Sequence, residues 1–306
     1  KQVGLSVRAK TDNQTVDIPL GYTISIGDAI DSNVSVSENL PDGQQQILME
    51  AMAMQAAASS FSEMVVTQDP FGIAPLTAMA QFHTEDLSSV SVRVHGKTER
   101  TDVWYNVEGE RLLHLVPIVG LYYNDTSLVT VSLTHQDGSV ESKDIELTTG
   151  AAPNPSKMPD ITVTYDRDRE SEIAPGLTFC APSGGSYYYA VDLEGDIRWY
   201  YAFSGNVGID GVSFNDDGHL LLLDGSKSSS AETNNFCAVE IDLLGREYRS
   251  YYLPYMSFHH ELKQLSSGNY LALATDYTKS TVNDVIVEFD PGTGAIERRW
   301  DMDEIL

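Results

Sequence analysis

The chain has 306 residues and carries 19 Lys and Arg against 45 Asp and Glu, a formal charge of −26. That balance argues against a nucleic-acid binder, which needs a cationic face. With 42% hydrophobic and 9% aromatic residues, the chain can bury a substantial core in roughly one to three domains, and disorder is not its main state.

No run reaches the roughly 18 to 20 apolar residues of a membrane span, since even LLHLVPIVGLYY (112–123) is broken by His114, Pro117 and Gly120. A soluble chain is expected. It begins at Lys1 without a Met and shows no charged-then-apolar leader, as a processed export product or a trimmed chain would. Cys180 and Cys237 are too few for a disulfide scaffold and lack CxxC spacing, so they read as buried free thiols or as one bridge between neighbouring strands.

The segment 41–63 opens with Pro41-Asp42-Gly43 and is rich in Ala, Met, Gln and Leu. It reads as a helix with Ile47, Leu48, Ala51, Met52, Ala58 and Phe61 near one side, covering a sheet or packing on a second subunit. The rest of the first half alternates apolar and polar residues in short runs, for example Val90, Val92 and Val94, the period of a half-buried strand. Residues 128–147 form a predicted hairpin turning at Asp137-Gly138. At 148–160 this periodicity stops and Pro and Gly cluster, which places a linker between independently packed units there, with a β-sandwich over 1–150 and a second domain over 151–306.

The second half repeats itself. AVDLEGDIRWYY (190–201), AVEIDLLGREYRSYY (238–252) and IVEFDPGTGAIERRW (286–300) each read as strand, tight turn, strand, with Asp192, Asp242 and Asp290 spaced 50 and then 48 residues apart. Between them, DGVSFNDDGHLLLLDG (210–225) matches HELKQLSSGNYLALAT (260–275), and Gly218 and Gly268 fall in their turns, again 50 apart. Four short strands per roughly 50 residues is the pattern of a β-propeller. Each Asp can accept from its own backbone two residues on, and each Gly supplies a positive φ, so these residues are structural. Residues 161–306 supply about three blades where a propeller closes with four to eight. Further sequence, or a second polypeptide, is therefore expected to complete the ring and cover its edges.

Chemistry is expected in the channel, where the innermost strands begin. Aligning the repeats sets Asp210 opposite His260, in the only adjacent His pair of the chain. Strand alternation sends His259 and His260 to opposite faces, so one of them, His260, points inward. A histidine there can donate to an anionic oxygen, accept a proton or bind a metal. His83, His95, His114 and His135 are scattered through the sandwich half with no carboxylate partner or HxxxH spacing, and His219 sits at the turn of a hairpin, so these five read as structural or solvated. No metal is expected, because His259-His260-Glu261 is contiguous and no second ligand cluster appears. Nor is a cofactor expected: there is no P-loop, the SGG at 183–185 is a hairpin turn, and GxSxG is absent.

Four segments in order, DPFGIAPLTA (69–78), HLVPIVGLYY (114–123), AVDLEGDIRWYY and FHHELKQLSSGNYLAL (258–273), closely resemble the bacterial arylsulfate sulfotransferases, a likeness covering most of residues 65–306. It implies an all-β chain: an immunoglobulin-like N-terminal β-sandwich with one helix, then about three of the six blades of a β-propeller. It also implies an exported, periplasmic or otherwise extracytoplasmic enzyme, dimeric, that moves a sulfuryl group from a phenolic sulfate ester to a phenol through a sulfated histidine, without a nucleotide donor. By that likeness His260 matches the family's first channel histidine, which helps hold the sulfuryl group, with His259 as the second choice. Phe179 and Tyr255 would be aromatic walls for the phenyl ring. The family's later blades carry the nucleophilic His, a His-x-Asn pair, an Arg and a Thr with no counterpart before Leu306, so the segment alone is expected to be inactive. Two other readings compete. One is a propeller used as a binding or scaffolding module. The other is a quinone-dependent dehydrogenase, suggested by DLEGDIRW (192–199) but disfavoured by uneven Gly-to-Trp spacing and the lack of adjacent Cys residues.

Overall fold

A computed structural model describes residues 5–7, 35–38, 44–164, 176–181, 187–202, 211–225, 237–253, 256–276 and 284–302. Two short strands, β1 (Leu5–Val7) and β2 (Ser35–Glu38), precede helix α1 (Gln44–Ala58). Good helix formers account for α1, but its buried stripe is narrower than the sequence suggests. Only Met52 and Ala56, one turn apart, are buried, while Ile47, Leu48 and Met54 are 64%, 41% and 74% exposed. Phe61 is buried beyond the helix end, edge-on to Phe82 at 5.1 Å. The helix is apolar nearly all round, so its period could not choose the covered side. Among the described residues no helix is long and apolar enough to cross a membrane.

Strands β3 (Val65–Gln68), β4 (Thr77–Val94), β5 (Val103–Val119), β6 (Thr126–His135) and β7 (Val140–Thr148) form one antiparallel sheet, in the order β1-β5-β4-β6-β7 with β3 also on β4. Bulges after His83 divide β4. Its first half pairs with β3 and the end of β5, its second half with β6 and the start of β5, so the sheet curls over its own core. Val90, Val92, Val94, Tyr105, Val129, Val131 and Leu133 line the inside, every second residue as expected. The β6–β7 hairpin turns at Asp137-Gly138, where Gly138 N–H donates to the His135 carbonyl at 2.9 Å and Asp137 Oδ1 accepts from Ser139 N–H at 2.8 Å.

Three antiparallel meanders follow, and the all-β expectation of a sandwich followed by propeller blades holds. The first blade is β8 (Thr178–Cys180), β9 (Tyr188–Val191) and β10 (Ile197–Tyr201). The second is β11 (Ser213–Phe214), β12 (Leu220–Asp224), β13 (Cys237–Ile241) and β14 (Glu247–Tyr252), with β2 added along β14. The third is β15 (Met256–Gln264), β16 (Tyr270–Asp276), β17 (Asp284–Phe289) and β18 (Ile296–Asp301). The repeated aspartates do what their spacing implies: Asp192, Asp242 and Asp290 accept through Oδ1 from the N–H two residues on, at 3.1, 2.9 and 2.9 Å. Neither cysteine is in a disulfide; Cys237 is buried and Cys180 half-buried.

The segment after β7 is not a free linker. Ala152 is buried and its N–H donates to the Tyr123 hydroxyl at 3.2 Å, and Asn154 N–H donates to the Tyr187 hydroxyl at 3.0 Å. One hydrophobic cluster runs from the curled sheet through the first blade into the second, and another joins the second blade to the third.

Arg198 anchors the junction. Its side chain is wholly buried, with Nη1 donating to Asp192 Oδ2 and the Thr101 carbonyl, and Nε to the Gly120 carbonyl, each at 2.8 Å. The guanidinium lies 3.8 Å over the Tyr122 ring. Beside it, the DPFGIAP loop is closed by Asp69, whose Oδ1 accepts from Ala74 N–H at 2.9 Å, and the Ile73 carbonyl accepts from Ala202 N–H at 2.7 Å. Gly245, in the second blade's turn, sits so close that a Cβ there would stand 2.4 Å from Ile73 Cγ2. Trp199 extends the chain of contacts, donating its indole N–H to the Leu243 carbonyl at 2.7 Å.

Removing one partner of a buried ion pair strands the other. Arg198→Met is therefore expected to lower the unfolding free energy by about 3 to 5 kcal/mol. Lys97, half exposed in its 2.7 Å pair with Asp196, should lose under about 1 kcal/mol as Lys97→Met. Urea titrations of both variants decide this, and equal small losses would contradict the anchoring role.

Candidate functional site

Strand β15 carries the histidine pair. Met256, Ser257 and Phe258 are buried, His259 is half-buried, His260 and Glu261 are exposed, and Leu262 is buried again. The register explains this change: His259 pairs with Leu273 but Leu262 with Ala272, so two extra residues, His260 and Glu261, bulge out of the ladder. His260 has φ 62, the left-handed region that β-strand residues avoid. The two rings consequently meet edge to face, with centroids 4.9 Å apart. They do not occupy opposite faces, because alternation fails where the backbone reverses its twist, and the argument that only one imidazole can face a common ligand fails with it.

The bulge abuts the preceding blade. Ser213 Oγ donates to the Leu262 carbonyl, and Asp216 N–H donates to Gln264 Oε1 at 2.5 Å, so β11 lies alongside β15. Asp210 and Tyr255, both singled out from the sequence, lie outside the described residues. Phe179 is half-buried and packs on Trp199 at 5.4 Å and on Phe214 at 5.2 Å, between the first and second blades. The structure thus joins His259 with His260, and sets Phe179 in a separate aromatic group that meets the second blade at β11.

The sandwich histidines have local partners. His83 Nδ1 lies 2.9 Å from the Ser59 carbonyl and His95 Nε2 2.8 Å from Thr130 Oγ1. His114 stacks on Phe82 at 4.6 Å, and burial lowers its pKa to about 4, leaving it neutral. His135 corrects the sequence reading, since it does have carboxylate partners: Glu141 at 2.9 Å through Nε2 and Asp86 at 3.3 Å through Nδ1. Strand pairing brings them together across distances in sequence that spacing rules do not scan.

Comparison with known families matches both halves in order: an arylsulfotransferase Ig-like domain over residues 65–150 and an arylsulfotransferase (ASST) domain over residues 162–306. The chain belongs to the arylsulfate sulfotransferase family. Two relatives are the arylsulfate sulfotransferases AssT of Lelliottia amnigena, 26% identical, and of Escherichia coli O6:H1 strain CFT073, 27% identical, with each alignment covering 79% of this chain and 49% of the relative. The chain spans about half the length of the curated relatives it matches.

The second blade also holds a buried polar centre that the sequence reading missed. His219, taken there as a turn residue, is buried, stacks on Tyr248 at 4.0 Å and donates through Nδ1 to Glu240 Oε1 at 2.6 Å. Asn215 Nδ2 also donates to Glu240 Oε1 and to the Tyr270 hydroxyl, both at 3.0 Å, while the Tyr251 hydroxyl donates to Glu240 Oε2 at 2.9 Å. The network therefore ties the second blade to the third. A signal was present: Glu240 interrupts the apolar run of AVEIDLL. Asp217, His219 and Glu240 bring ligand atoms within 4.8 Å of one another, and both carboxylate oxygens of Glu240 already accept hydrogen bonds from His219, Asn215 and Tyr251.

Burial pushes the Glu240 carboxyl up, but His219, Arg249 and Tyr251 outweigh it and hold the group below the ordinary value of 4.5. A depressed carboxylate contributes stability above its unfolded pKa, and that stability is lost as pH falls through the folded value. Glu240→Gln is expected to cost about 3 kcal/mol at pH 7 and much less well below pH 4.5. Melting curves across pH 3 to 7 read the difference, and a loss of equal size at both ends would contradict the charged pair.

Proposed function

We propose that this chain supplies the immunoglobulin-like domain and three blades of an arylsulfate sulfotransferase that moves a sulfuryl group from a phenolic sulfate ester to a phenol. The observation that carries this reading is the ordered match of both family domains to both halves of the chain. Because the chain spans about half of its relatives, the transferring ring is assigned to a polypeptide that includes further blades, with this segment inactive by itself. The enzyme is placed outside the cytoplasm and taken as a dimer, as the family resemblance implies.

In the proposed reaction a neutral imidazole from a later blade attacks sulfur. An N–S bond forms, the ester S–O bond breaks, and phenolate leaves. A second phenol then attacks the sulfohistidine; the N–S bond breaks as the new S–O bond forms, and the phenol's proton goes to solvent, from which the departed phenolate takes one up. The sulfuryl oxygens need hydrogen-bond donors throughout, and with a chain at −26 that positive character has to be local. His260 is the donor we assign to them, with His259 4.9 Å away as its neighbour in the same role. Phe179 and Tyr255 are offered as aromatic walls for the phenyl ring.

The test uses 4-nitrophenyl sulfate with phenol as acceptor, on the full-length polypeptide and on the 306-residue chain. Nitrophenol release that requires phenol is expected from the former and none from the latter. Equal release in water alone would instead indicate a simple sulfatase. His260→Ala is expected to lower phenol-dependent release about 100-fold, and an unchanged rate would remove His260 from the site.

A further inference from the structure

We propose that Gly211 is the positioning residue for His260: the missing side chain at the head of β11 is what admits the His260 carbonyl, and with it the bulge that carries the imidazole. This deepens the reading of His260 given above and rests on it for its catalytic consequence.

A Cβ built on Gly211 would stand 2.0 Å from the His260 carbonyl oxygen, 3.1 Å from its carbonyl carbon and 3.3 Å from the Glu261 Cα. All three atoms are backbone, so no rotamer change relieves the clash. Gly211 itself has φ 91 and His260 has φ 62, so two left-handed residues face each other across the seam between blades. A histidine in that conformation persists only where its surroundings over-determine it. Here the surroundings are the β11 segment: Gly211 against the His260 carbonyl, Ser213 Oγ on the Leu262 carbonyl, and Asp216 N–H on Gln264 Oε1. The bulge is thus shaped from the neighbouring blade, 49 residues earlier in the chain.

Gly211→Ala would force the His260 carbonyl back by roughly 1 Å or more, and a displacement of that size costs an oriented reaction on the order of 100-fold. Gly268 supplies the control. It has φ 89, yet a Cβ there meets nothing within 4 Å. Gly268→Ala therefore carries the same left-handed penalty without the clash.

The first readout is the ring signal of His260 in the 306-residue chain labelled with carbon-13 histidine, assigned by its loss in His260→Gln. Gly211→Ala should move that signal and leave His219 in place, while Gly268→Ala should move neither. Should Gly211→Ala not fold, Ser213→Ala, which loses only the hydroxyl on the Leu262 carbonyl, is expected to shift the His260 signal by a smaller amount. The second readout is phenol-dependent transfer by the full-length polypeptide, where Gly211→Ala should lower kcat about 100-fold with KM little changed. A folded Gly211→Ala or Ser213→Ala chain with an unmoved His260 signal would overturn the proposal. So would Gly268→Ala reproducing the effects of Gly211→Ala. Absence of transfer by the unsubstituted polypeptide would sink the functional reading instead, and the ring signal would still decide on Gly211.

Discussion

The buried guanidinium of Arg198 is the constraint on which the rest of the fold depends. A charge taken out of water must be paired and hydrogen-bonded, and Arg198 finds its partners on both sides of a junction: Asp192 in its own blade, and the carbonyls of Thr101 and Gly120 just before and just after β5 of the curled sheet. Those fixed donors set how the first blade lies against the immunoglobulin-like domain. The next residue, Trp199, carries the placement into the second blade through the Leu243 carbonyl. From there Ser213 and Asp216 reach Leu262 and Gln264, and the third blade falls into line with His260 at its edge. Domain, blades and histidine pair form one connected series of contacts.

What the sequence made legible was local. The blade hairpins announced themselves because their turns are closed within four residues by Asp192, Asp242 and Asp290. Their regular spacing then named the propeller, since a repeat of that length with four short strands has few other solutions. The β6–β7 turn at Asp137-Gly138 was readable for the same reason.

What it hid was non-local. Arg198, in the run IRWYY, has nothing beside it in sequence to show that its charge is buried, because two of its three acceptors lie in another domain. The two carboxylates flanking His135 arrive by strand pairing. The left-handed bulge at His260 defeats a period-two reading because its shape is imposed by Gly211 from the preceding blade. Helix α1 shows a different limit: a segment of Ala and Met is apolar on every side, and only the neighbouring sheet decides that Met52 and Ala56 go inward. Family membership was readable because its motifs sit at these junctions. The DPFGIAP loop holds Ile73 against Ala202 and Gly245, and FHHELK spans the bulge.

The functional account places an imidazole pair on a backbone feature that neighbouring blades hold in shape, which requires that the immunoglobulin-like domain and the blades behave as one body. Scanning calorimetry of the 306-residue chain tests that requirement most directly. A continuous core should give a single transition, with a ratio of calorimetric to van 't Hoff enthalpy of about one. Two separated transitions, with the curled sheet melting apart from the blades, would contradict it.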